Sequence, residues 1–209
     1  PHSDHVGAFI DIVNDPDSPI TIDNVYYNLT DQSWYDTRES FRSEMVVNLY
    51  DALKKLPAEK LHGNMHKGQK IQIGNISAEV MNDIYLLDET SVNNSSMVVK
   101  FIMGGKSIMV LGDLGPEGGK RLLADNGASR LKSDVVQMAH HGQYGVEKDV
   151  YAAIDPDICL WPTPGWLWNN DGGQGKGTGD WYTMETRTWM DELGVKHHYS
   201  VKDGDWVLQ

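Results

Sequence analysis

Apolar positions along this chain change period several times, and the changes mark out the elements. Ile20-Thr21-Ile22-Asp23-Asn24-Val25-Tyr26-Tyr27 alternates and is rich in β-branched and aromatic residues, which predicts a strand. Phe41, Met45, Leu49 and Leu53 then recur at helical spacing. They predict a helix that opens near Asp36-Thr37-Arg38-Glu39 and stops before Pro57. Residues 69–80 alternate as a strand pair about Gly74-Asn75. Residues 97–103 and 107–111 read as a hairpin about Gly104-Gly105. Further on, helices are expected over 117–125, 147–153 and 181–193. Strands are expected over 133–139, 158–161, 195–201 and 205–208. At the amino end, Pro1-His2-Ser3-Asp4-His5 reads as a tight loop closing a strand, with a short helix opening at Val6. No strand precedes Pro1, so that loop leads to the expectation that an amino-terminal portion is missing from this chain, with a separate chain as one candidate source. No repeat and no linker interrupts the pattern, and 1–209 reads as a single domain. Strands and helices alternate without a strict βαβ rhythm. The expected class is α/β (α+β), a mixed sheet system with helices outside.

Composition narrows the functions available. The chain has 209 residues, 40% hydrophobic and 23% charged, with a formal net charge of −12 and a pI near 4.9. An acidic surface argues against coating a nucleic acid, although bound cations supply positive field locally. Cys159 is the single cysteine, so there is no internal disulfide and no thiolate zinc site. It lies in the apolar run 158–161 and reads as a small buried residue. No run approaches 18 apolar residues, so no membrane segment is expected.

Candidate chemistry clusters at the ends of apolar strands. His2, Asp4 and His5 form one group, Gly112-Asp113 a second and His140-His141-Gly142 a third. Imidazole nitrogen with carboxylate oxygen suits zinc, manganese or iron. Asp in a turn or His at a strand end is commonplace taken singly; three such ends in one chain point to a shared site. Two cations close together repel, and a carboxylate between them relieves this, which makes Asp113 the natural bridge. A metal-held hydroxide then serves as nucleophile, because metal binding brings the pKa of water toward ~7. The pair His62/His66 is flanked by glycines and reads as an exposed loop.

These residues resemble the metallo-β-lactamase superfamily, whose hallmark is a His-x-His-x-Asp-His loop. Residues 1–5 are similar to that loop from its third position onward. Asp113 resembles the bridging aspartate, and His140 or His141 the final histidine that shares a metal with Asp4 and His5. Where the family places a further histidine before the bridging aspartate, this chain has Asn93-Asn94. Asn-Asn-x-Ser, Gly-Asp and His-His-Gly together resemble the branch that holds the ComEC-type DNA-uptake domain and the phosphorylcholine esterases. The resemblance covers residues 1 to about 160 and 195–208. It implies a four-layer αββα sandwich, one or two divalent ions (Zn²⁺ first, Mn²⁺ or Fe otherwise) and hydrolysis of a phosphodiester or related ester. A ComEC-like nuclease and a metal-binding domain without turnover are the alternatives.

Other residues bear on the substrate. Trp166 and Trp168 lie in the Gly- and Trp-rich stretch 161–182, which reads either as a lid over the metals or as a packed plug. Asn94 is a further candidate for substrate contact. Tyr144, just after His-His-Gly, is placed to hydrogen-bond an oxyanion. His198 is a candidate general acid, and Asp4 doubles as ligand and proton acceptor. The expected partner is a small-molecule or ester substrate, with nucleic acid disfavoured by charge.

Overall fold

The computed structural model describes residues 1–207 of the chain, which fall into two compact units that divide between Met65 and His66.

In the first unit, helix α1 (Ser3–Asn14) begins where a loop was expected. His2 is extended and its carbonyl accepts from the amides of His5 and Val6, both at 3.0 Å, so residues 3–5 are the first helical turn. Asp4 there complements the positive end of the helix. The apolar spacing of Val6, Phe9, Ile10 and Val13 carries the helix on, because that stripe packs on Leu49, Ala52 and Leu53. Strand β1 is only Val25–Tyr26 and pairs in parallel with β2 (Leu61–His62), after helices α2 (Gln32–Arg38) and α3 (Ser43–Lys54). Ile20 to Asn24 alternate but have no ladder partner among the described residues, and Ile20 stays exposed. The helix expected from Asp36 breaks at Glu39 (φ −141°, ψ 66°). The Asp36 carboxylate there accepts from Gln32 Nε2 and Ser43 Oγ, tying α2 to the start of α3. Phe41 is therefore off the buried face, at 79% exposure, and Val46 and Ala52 join Leu49 and Leu53 on it.

The second unit is built on a seven-stranded mixed sheet in sequential order. Strands β3 (Lys70–Ile73) and β4 (Ile76–Val80) come first. A short helix α4 (Ser91–Asn94) leads to β5 (Val99–Met103) and β6 (Lys106–Val110), and these four strands pair antiparallel. Helices α5 (Pro116–Asn126) and α6 (Ala128–Leu131) precede β7 (Val135–Gln137). Helix α7 (Lys148–Ile154) precedes β8 (Ile158–Trp161). Helices α8 (Gly165–Trp168) and α9 (Thr183–Glu192) precede β9 (His197–Ser200). From β6 to β9 every pairing is parallel, with Met109 opposite Val136 and Val136 opposite Cys159. Alternation puts Met109, Leu111, Val136, Met138, Cys159 and Trp161 on one face. All are buried, in one core with Leu122, Val150, Tyr151, Ile154 and Met190 from the helices. Burial pushes the Cys159 thiol up to about 12, as expected of an inert core cysteine.

The mixed α/β class expected from the pattern is the one the chain forms, and the sheets among the described residues are this one and the β1/β2 pair. After β9 the backbone makes a single 3₁₀ turn. Residues 205–207, expected as strand, are irregular, and Leu208 lies outside the described residues. No helix among the described residues is long and apolar enough to cross a membrane.

Candidate metal centre

Parallel strands bring their carboxyl ends to one edge of the sheet, where connecting turns converge. β6, β7 and β8 do this here, and their following turns are cross-linked. Gln137, the last residue of β7, accepts from the amides of Leu111 and Gly112 at 3.0 and 2.9 Å. The His140 amide donates to the Gly112 carbonyl at 3.0 Å. The Asp113 amide donates to Ser96 Oγ at 3.2 Å, and Thr163 Oγ1, beyond β8, donates to the His141 carbonyl at 2.6 Å. Gly112 takes φ +58°, where a Cβ would press on Ser96 at 3.1 Å.

The histidine turn is strained. His140 (φ 49°) and His141 (φ 58°) are both left-handed, and Gly142 follows at φ +80°. For non-glycine residues this costs on the order of 1–3 kcal/mol each, and such strain collects at functional sites. The twist aims the two imidazoles at Asp113, whose side chain is nearly buried: His141 Nε2 lies 3.6 Å from Oδ1 and His140 Nε2 3.9 Å from Oδ2.

The two imidazoles are held differently. His141 Nδ1–H donates to the Pro162 carbonyl at 3.0 Å, which leaves the Nε2 lone pair directed at the carboxylate. A ring nitrogen fixed on a backbone carbonyl is the usual way a metal-ligating histidine is oriented. His140 Nδ1–H donates to the Tyr144 carbonyl at 3.3 Å, and its Nε2 is met by the amide groups of Gln143 (3.0 Å) and Asn93 (3.4 Å). Both of its nitrogens are therefore engaged within the unit. A buried carboxylate and an oriented imidazole form a donor pair that fits a divalent cation. His141 suits the ligand role better than His140, a choice that sequence alone leaves open.

The remaining candidates sit as follows. In the first unit, His2 is 9% exposed and its Nε2 lies 3.0 Å from Glu39 Oε2, which also meets Arg42 Nε at 3.3 Å. Burial leads in holding the His2 pKa below its ordinary value, against the pull of Glu39. Asp4 and His5 are neighbours, Oδ2 to Nε2 at 3.9 Å. In the second unit, Asn94 is buried and both ends of its amide are used. Oδ1 accepts from the amides of Gly115 and Gly118, and Nδ2 donates to Glu89, Thr90 and Glu117. It clamps the start of α5. Tyr144 is left-handed (φ 41°) and half exposed, with its ring 5.2 Å from that of Tyr182. His198 accepts from the Trp161 indole at 3.0 Å, and its pKa is lowered, first of all by burial. Trp168 carries Arg187 at 4.1 Å and Lys202 at 5.0 Å on its ring and packs edge-on against Trp161. Trp166 is 52% exposed, edge-on to Trp181 at 4.9 Å. Trp168 is thus a packed plug, while Trp166 keeps free surface.

Gln137 and Thr163 were not among the residues expected from sequence to serve the site. The signal for Gln137 was a lone amide in the apolar run 135–139; Thr163, buried between two prolines, gave none.

No family model and no curated protein sequence matches the chain. Among solved structures it is similar to a Thermotoga maritima protein assigned as a Zn-dependent hydrolase of the metallo-β-lactamase superfamily. That match has 16% identity over 49% of this chain and 51% of the other, with a TM-score of 0.30. It is also similar to a mutant of the CmlA β-hydroxylase, with 10% identity over 71% of this chain and 34% of that one, at a TM-score of 0.41. The chain spans about half the length of the first and a third of the second.

Proposed function

We propose that this chain is a metal-dependent hydrolase of the metallo-β-lactamase type, acting on a phosphodiester or related ester. The observation that carries the reading is the Asp113–His141 pair, 3.6 Å apart on two cross-linked strand-end turns, with the imidazole tautomer set by the Pro162 carbonyl. A divalent cation bound there supplies Lewis acidity and brings the pKa of water toward ~7. Mixed N and O donors suit Zn²⁺ first, with Mn²⁺ or Fe as other occupants.

In this reading Asp113 supplies negative charge against the cation and His141 supplies the directed lone pair. The Tyr144 hydroxyl hydrogen-bonds the oxygen on which charge develops. One cation is favoured over two, because both nitrogens of His140 are engaged. The net charge of −12 weighs against a nuclease.

The test is a hydrolysis screen with added Zn²⁺ or Mn²⁺ on bis-p-nitrophenyl phosphate, p-nitrophenyl phosphorylcholine, a lactam and a thioester. At least one ester is expected to turn over, and Asp113→Ala to abolish it. Turnover equal to the parent's in that variant overturns the site. Metal binding without turnover of any substrate supports a binding domain instead.

A further inference from the structure

Beside the histidine turn, between the loop that leads into α7 and helix α9, lies a cleft with room for about 120 Å³. Its walls include Tyr144, Tyr182 and Trp189, with Glu147, Glu185 and Thr186 among them. We infer that this cleft binds a protonated amine, the ammonium group of a substrate or small ligand.

Charge supports this first. Neither Glu147 nor Glu185 has an ion pair among the described residues. The bases nearest them in sequence are committed elsewhere: Lys148 to Glu192 at 2.5 Å, and Arg187 to the Trp168 ring at 4.1 Å. Two acidic residues therefore line one small cleft with no ion-pair partner among the described residues. The helix starts account for acidic residues as such, since Glu147 stands at the N-cap position of α7, without a side-chain capping bond, and Glu185 lies in the first turn of α9. They do not account for the aromatic walls.

The aromatic rings are the second support. The Tyr144 and Tyr182 rings stand 5.2 Å apart at 40°, each about half exposed (48% and 47%). Aromatic rings that line a cleft attract a cation by their quadrupoles, with about 0.5–2 kcal/mol available per contact, and Trp189 adds a third to the lining. Carboxylates, phenol oxygens and the Thr186 hydroxyl also accept hydrogen bonds. That selects an ammonium carrying N–H over a quaternary one, which has nothing to donate. The cleft is tied to the histidine turn through one residue, because the Tyr144 carbonyl receives the His140 Nδ1–H at 3.3 Å. That the amine belongs to the molecule being hydrolysed rests on the metallohydrolase reading; the binding itself does not.

The experiment is calorimetric titration of n-butylammonium into the full chain, with and without Zn²⁺, with tetramethylammonium and n-butanol as controls. Butylammonium is expected to saturate in both preparations, with tetramethylammonium at least fivefold weaker and butanol silent. Glu147→Gln/Glu185→Gln should weaken butylammonium tenfold or more, and Tyr182→Leu should weaken it severalfold. Butylammonium binding unchanged in the double variant, or matched by butanol, overturns the site; tetramethylammonium binding as well as butylammonium overturns the N–H requirement. Because the metal-free arm involves no hydrolysis, failure here is separate from failure of Asp113→Ala to abolish turnover.

Discussion

Gln137→Leu keeps the volume of the side chain and removes its polar end. In the parent, Oε1 receives the amides of Leu111 and Gly112, and Nε2 donates to the Gly112 and Met138 carbonyls. Leu111 is fully buried, so its amide loses this acceptor without gaining water, and Gly112 is partly covered. Two stranded donors at ~1–3 kcal/mol each give a loss of roughly 2–6 kcal/mol. With a urea slope of about 2 kcal/mol/M, the unfolding midpoint falls by roughly 1–3 M. The same amide holds the turn that aims Asp113, so Zn²⁺ affinity should fall about 10–100-fold, the usual effect of losing a group that orients a ligand. Gln137→Glu keeps an acceptor for both amides and loses only the donor, and should fall between parent and Leu in both assays. A Leu variant within about 0.3 M of the parent midpoint, with Zn²⁺ affinity intact, would refute the claim that Gln137 ties β6 to β7 at the site.

Two other outcomes follow from the packing and the titrating groups. Trp168 is partly buried against the core, and Trp168→Ala should cost about 2–3 kcal/mol, against about 1 kcal/mol or less for the exposed Trp166→Ala. Equal losses in urea melts would contradict the assignment of Trp168 as plug and Trp166 as exposed surface. His198 has its pKa lowered by burial from 6.5. Below that value the unfolded chain takes up a proton that folded His198 resists, so its contribution to stability is complete above about pH 6.5 and declines as pH falls toward the folded pKa. Metal-free protein should therefore melt progressively earlier between pH 6.5 and 5, and His198→Gln should flatten that slope; identical slopes would place the dependence elsewhere.

The sheet was legible because its strands carry local signals. Gly74-Asn75 and Gly104-Gly105 are hairpin turns that fix their own register, and the 158–161 run is bounded as the structure has it. What misled was alternation without a partner. Ile20 to Asn24 has strand chemistry, yet a strand needs a neighbour to take its amides, and sequence does not show one. At Ser3 the reverse happened: metal-ligand spacing drew attention to the residues, while the helical stripe from Val6 to Val13 decided their backbone. Asp113, His140 and His141 stood out in the sequence because each follows an apolar strand, where parallel sheets commonly carry sites, and the structure brings the three side chains together. Which histidine is directed at the carboxylate was not legible, because it depends on two consecutive left-handed residues and on a carbonyl twenty-one positions away, at Pro162. The role of Asn94 was hidden for a similar reason: its partners on α5 are more than twenty residues distant.

The most direct measurement is Zn²⁺ binding to the parent and to His140→Ala, His141→Ala and Asp113→Ala, by calorimetry against a competing chelator. Loss of binding in the Asp113 and His141 variants, with His140→Ala retaining it to within about tenfold, is the predicted pattern. Retention in His141→Ala, with loss in His140→Ala, would show that the Pro162 carbonyl orients the wrong imidazole for a ligand.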